Sequence, residues 1–183
     1  VQDNIDDYQI IILDKNNIGT VDYDNIYFNA FFEKLIQILN FSFEKEREHS
    51  IKKGLYPPGY KHNLDSIKSN THNPSFVTVI LCNKNLVPIA FLYVEQKEND
   101  YDKVWTVCTD NEYRGQGISS KLMNWTTINQ LNNNRSKMLL EVYDDNVISR
   151  EQEDVLQNQI MTHFGKNGFD YTPLEKLDSN TYN

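Results

Sequence analysis

Two glycines within four residues, Arg114-Gly115-Gln116-Gly117, separate an apolar β-like segment, Val104 to Thr109, from an amphipathic segment running from Ile118 to Leu131. A strand that stops, turns in so few residues and becomes a helix leaves backbone N–H groups of the first helical turn without carbonyl partners, all pointing one way. Such a helix start holds anions. Glycines at 115 and 117 let backbone approach a ligand with no Cβ in the way, and Arg114 adds a forked cation. A dinucleotide-binding loop needs a third glycine and an acidic residue about 20 positions later, while a P-loop needs Gly-Lys-Ser/Thr. Neither is present, so a phosphate site of another kind is expected here.

The rest of the chain places this junction in a mixed α/β layout. Tyr8 to Leu13 reads as a first strand. Tyr27, Phe28, Phe31, Phe32, Leu35, Ile36 and Leu39 recur at helical spacing behind a cap at Asp24 or Asn25. Glu44 to Lys53 reads as a polar helix ended by Gly54. Leu55 to Ser75 shows no clear period and is expected to be a long loop, a kind that is often functional. Phe76 to Cys82, Val87 to Glu95 and Val104 to Thr109 form three consecutive antiparallel strands, joined by Asn83-Lys84-Asn85 and by the polar turn Lys97 to Lys103. A helix on Ile118, Leu122, Trp125, Ile128 and Leu131 follows. After it come a strand at Met138 to Tyr143, a helix at about Val147 to Phe164 and a last strand near Phe169 to Thr172. Nothing repeats, and no shift of composition marks a boundary.

Composition narrows the function. At 183 residues the chain suits one domain with one core, spanning 1–183. No leader or membrane span is visible, so a soluble, cytoplasmic protein is expected. A formal charge of −8 argues against nucleic acid as a partner and favours a cationic one. Cys82 and Cys108, the only cysteines, lie in apolar runs and are read as buried thiols rather than a disulfide. Asn40, Asn124 and Asn134 head glycosylation triplets that matter only in a secreted chain. His49, His62 and His72 lack metal-ligand spacing, and no metal is expected.

The turn resembles motif A of the GNAT superfamily, acyl-CoA-dependent N-acyltransferases, whose signature is Gln/Arg-x-x-Gly-x-Gly/Ala between a strand and a helix. Arg114, Gly117 and Ser119 stand at its fixed positions, with serine for the usual last glycine or alanine. Phe164-Gly165-Lys166-Asn167-Gly168-Phe169 resembles the family's late Tyr-x-Lys-x-Gly-Phe. The likeness runs from Phe76 to Phe169, and the element order matches the GNAT fold, a mostly antiparallel mixed sheet flanked by helices.

That resemblance implies acetyl transfer from acetyl-CoA to an amine in a ternary complex, by a monomer or homodimer that binds no membrane. A CoA-binding module without catalysis is the alternative. It assigns the pantetheine to the backbone of Val107, Cys108 and Thr109, and the pyrophosphate to Arg114, Gly115, Gln116, Gly117, Ile118, Ser119 and Ser120. Asn146 inherits a contact with the pantetheine arm, although the longer spacing to Phe169 would put Gln157 there instead. Residues 1–75 supply part of the acceptor side, with Tyr56, Tyr60 and His62 as substrate contacts, and 76–172 the cofactor core. Phe164 occupies the place of the tyrosine that protonates the leaving thiolate, and phenylalanine cannot donate. Either another hydroxyl serves, Tyr143 and Tyr171 being the nearest, or water does, with His163 a third option. Transfer needs a neutral amine, so a carboxylate is the expected base, and Glu95 and Asp102 are the candidates.

Overall fold

The structure is a computed structural model that describes residues 7–98, 101–135 and 137–140. The chain separates into two compact units, Val1–Glu141 and Val142–Asn183, and every described residue belongs to the first. Strands β1 (Gln9–Leu13), β2 (Phe76–Cys82), β3 (Pro88–Gln96), β4 (Tyr101–Thr109) and β5 (Lys137–Leu140) form one sheet in that order. The first four are antiparallel neighbours, and β5 runs parallel to β4. Helices α1 (Ile26–Ser42), α2 (Glu44–Lys52) and α3 (Leu64–Thr71) precede the β2–β4 meander, and α4 (Ile118–Asn132) links β4 to β5. Among the described residues no helix is long and apolar enough to cross a membrane.

Period-two alternation sends the residues of β2 and β3 to opposite faces. Ile80, Cys82, Phe91 and Tyr93 meet Phe32, Leu35, Ile38 and Leu39 of α1 and Ile67 of α3, whereas Leu81, Leu92 and Val94 belong to the opposite face. Helix α1 starts as expected, with Asn25 accepting from the Tyr27 amide. Helix α3 corrects the reading of Leu55 to Ser75 as loop throughout. It is short, but Asn63 and Ser66 form a reciprocal capping box, and Leu64, Ile67 and Thr71 at helical spacing turn one face to the core.

Strand β4 contains a bulge that decides what each half of it faces. Thr106 opposes Tyr93 and Val104 opposes Val94, so Trp105 is the extra residue. An extra residue reverses the alternation. Asp102 and Val104 therefore face α4, while Cys108, of the same parity, sits in the α1 core.

Helix α4 departs from its apolar spacing for a related reason. Ile128 and Leu131 are exposed, and the buried side is Ile118, Leu122, Met123, Thr126 and Gln130. Gln130 is drawn inward by Asp102, whose side chain is wholly buried. Gln130 Nε2 donates to Asp102 Oδ2 at 2.6 Å and Arg135 Nε to Oδ1 at 2.9 Å. Arg135 Nη2 also donates to the carbonyls of Lys97 and Tyr101. The cluster ties the end of α4 to the β3–β4 connection. Thr126 returns its hydroxyl to the Leu122 carbonyl, so neither buried polar residue is left unpaired.

Removing one partner from a buried ion pair strands the other. Replacing Arg135 with Met should cost about 3 kcal/mol of stability, read as a lower urea midpoint at an unchanged slope.

Candidate functional site

At the end of β4 the Asp110 amide donates to the Ile89 carbonyl. Strand residues turn their N–H and C=O to alternate sides. Cys108 therefore faces β3 like Asp110, and the amides of Val107 and Thr109 point to the opposite edge of β4. Of the three backbone groups assigned to the pantetheine, those two face away from β3 and Cys108 faces toward it. Burial pushes the Cys108 thiol up and that of Cys82 up to about 12, so both remain protonated core groups.

A short 3-10 turn, Asn111–Tyr113, then carries the chain to the glycines. Asp110 begins it by accepting from the Glu112 amide, and Lys34 of α1 holds the other carboxylate oxygen at 2.5 Å. Gly115 and Gly117 follow at φ 76° and 74°, left-handed conformations that cost an L side chain about 1–2 kcal/mol. Gly117 is also the N-cap of α4, with no side chain to occupy the helix start. A Cβ on either glycine would meet nothing within 4 Å. The turn is thus an exposed stretch of backbone before a helix whose buried Ile118, Leu122 and Met123 fix it on the sheet. A helix start with its backbone bare in this way is the kind that holds anions.

Arg114 reaches from the turn toward α1. Its guanidinium lies 5.2 Å from the Phe41 ring centroid and donates to Ser42 Oγ at 3.3 Å, at the end of α1. Gln116 donates to the Glu112 carbonyl at 3.4 Å. Both side chains are exposed and border the turn from outside.

The same end of α1 carries the aromatic loop. Asn40 accepts from the His62 amide and donates to its carbonyl, both at 2.9 Å. Tyr56 and Tyr60 stack with centroids 4.4 Å apart, and His62 meets Tyr60 edge-on. Burial, then the charge of Arg47, lowers the His62 pKa, which keeps the ring neutral near pH 7. Asn40 therefore brings the three proposed substrate contacts to the segment that touches Arg114. The sequence offered no pairing signal for Asn40, since its partner lies 22 residues away.

The two carboxylates lie toward the other end of β4. Asp102 is seven residues before Thr109, about 23 Å along the strand. Burial raises its pKa against the lowering bonds from Arg135 and Gln130, and at 0% exposure it is sealed from any substrate. Its part is structural. Glu95 is more open. Partial burial raises its pKa, but the bonds from Lys97 and Trp105 outweigh this and hold it below the usual carboxylate range. Tyr143, Asn146, Gln157, His163, Phe164 and Tyr171 lie outside the described residues. An apolar hollow of about 650 Å³ between α1 and the β2–β3 turn involves none of the expected site residues.

A family model described as the acetyltransferase (GNAT) family matches residues 32–151. No curated protein matches the sequence. The fold is that of solved GNAT structures. An aminoglycoside acetyltransferase from an uncultured soil metagenomic sample, in complex with trehalose, superposes with a TM-score of 0.56 at 13% identity over 92% of this chain and 93% of that one. A GNAT-family acetyltransferase from Staphylococcus aureus Mu50 gives 0.55 at 16% over 94% and 90%. The aminoglycoside antibiotic 6'-N-acetyltransferase AAC(6')-Ih from Acinetobacter baumannii gives 0.51 at 11% over 91% and 92%.

Replacing Gly117 with Val should lower stability by about 1–2 kcal/mol through its left-handed backbone and abolish any rise in melting temperature on addition of a pyrophosphate-bearing ligand such as CoA. Gly19, which has equal space but no positive φ, serves as the control, and its replacement by Ala should change neither.

Proposed function

The chain belongs to the acetyltransferase (GNAT) family, and from that premise we propose that it transfers an acetyl group from acetyl-CoA to a primary amine, as one domain with its cofactor core in 76–172. The observation that carries this reading is the bare left-handed Gly115–Gly117 turn at the start of α4, with the outward amides of Val107 and Thr109 leading to it. Two of the structural neighbours are named as aminoglycoside acetyltransferases, which supports an acceptor bearing amino groups.

Bound acetyl-CoA would supply a thioester whose acyl carbon forms the new C–N bond as the C–S bond breaks and the thiolate takes up a proton. The protein's part is to position and to manage protons. The start of α4 holds the pyrophosphate with backbone dipoles. The edge of β4 aligns the arm through Val107 and Thr109 and supplies N–H groups to polarise the carbonyl. Tyr56, Tyr60 and His62 wall the acceptor side. Of the two carboxylates only Glu95 is open to a substrate. Because it is held ionised it is a weak base, and the amine's proton leaves to water. Tyr143 or Tyr171 protonates the thiolate in place of Phe164, and Asn146 contacts the arm.

Acetyl-CoA at 100 times its dissociation constant should stabilise the protein by about 2.7 kcal/mol, and an amine panel should then release free thiol. No thermal shift would remove both this reading and that of a CoA-binding module. A shift without thiol release would favour the module, for which Phe164 is the specific argument. Phe164→Tyr should raise turnover if the proton donor limits it.

A further inference from the structure

Trp105 stands two residues after Lys103 on β4, so alternation puts it on the same face of the sheet as the cross-strand pair Glu95 and Lys103. The indole Nε1 donates to Glu95 Oε2 at 2.6 Å, Lys97 Nζ holds Oε1 at 2.6 Å, and Lys103 Nζ stands 3.8 Å from the indole centroid. The Trp105 side chain is fixed at its edge by a carboxylate, yet the residue is 48% exposed. A π face with an anion bonded to its N–H presents negative potential to a cation. The fold has built an ammonium site and set its own lysine on it.

Resting on the acetyl-transfer reading, we infer that Trp105 and Glu95 anchor a second, non-reacting ammonium of the acceptor, which makes the substrate class a di- or polyamine. The nitrogen that attacks must be neutral, whereas a nitrogen held on an indole face beside an ionised carboxylate is protonated. The two are therefore different nitrogens of one molecule. Trp105 lies four residues before Thr109 on the strand that leads to the anion turn, about 13 Å away, so an acceptor anchored there stays beside the cofactor's path. Lys103 is an internal competitor for the position, and an incoming ammonium displaces it.

In a Trp125→Phe background Trp105 is the one remaining tryptophan. Titration of its fluorescence with 1,4-diaminobutane should saturate, while 1,4-butanediol, of the same length and uncharged, should leave the emission unchanged. Lys103→Met should tighten the diamine about threefold, and Glu95→Gln should weaken it about tenfold. An equal response to the diol, or a Lys103→Met protein that binds the diamine no tighter, would overturn the site. In turnover, kcat/KM for 1,4-diaminobutane should exceed that for butylamine at least about tenfold. Trp105→Leu should erase that preference and Trp105→Phe retain most of it, which leaves a readable variant if the leucine protein does not fold. A preference unmoved by Trp105→Leu refutes the anchor. Absence of any acetyl-CoA thermal shift or thiol release refutes acetyl transfer instead, and the fluorescence titration then still decides the ammonium site.

Discussion

The one-residue bulge in β4 is the constraint on which the described unit turns. A strand without it would send Asp102, Val104, Thr106 and Cys108 to one face. With Trp105 inserted, the first pair closes against α4 and the second lies on the α1 side. Both layers are thereby sealed by a single strand, and the cost of one unpaired position is confined to an exposed residue. The buried Asp102–Arg135–Gln130 cluster follows from it, because only a strand of this phase directs a carboxylate under the end of α4.

At the other end of β4 the glycine turn is framed by paired groups. Lys34 neutralises Asp110, whose carboxylate also accepts the Glu112 amide. The charge of Asp110 is thus engaged, and the helix start that follows is capped by a residue with no side chain. On the proposed reading that helix start takes an anion in a chain whose net charge is −8. A local dipole outweighs that distant negative charge because exposed charges more than about 8–10 Å away are largely screened.

Much of this was legible in the sequence, and the exceptions share a cause. The strands, the cap of α1 and the strand–turn–helix junction follow from local patterns: alternation, an asparagine before an apolar stripe, and paired glycines. Helix α3 was missed because Leu64, Ile67 and Thr71 carry too little apolar content to announce a period, and its capping box uses Asn63 and Ser66 rather than the commoner Ser/Thr with Glu/Gln. In α4 the apolar residues Ile128 and Leu131 suggested a buried face that Gln130 actually occupies. Its attraction comes from Asp102, 28 residues away. The same distant pairing explains Asp102, which looked like a hairpin-end acid open to substrate. The contact of Arg114 with Phe41 and Ser42 could not be read either, because it depends on where α1 ends. Apart from α3, whose local signals are simply weak, each departure is a tertiary pairing between residues far apart in the chain, which no window of local sequence contains.

The separation of the two charged features along β4 bears on how one acceptor and one cofactor are held together. A polycationic acceptor in contact with a pyrophosphate would be held there as an ion pair, with its amines protonated and unreactive. Trp105 stands about 13 Å from Thr109 at strand spacing, beyond the screening length at physiological ionic strength. On the proposed reading, a cation held on β4 and an anion held at the turn beyond it would then each bind without neutralising the other. The place of Trp105 along β4 is set by residue count rather than by loop mobility, so the strand itself would fix where an anchored amine lies.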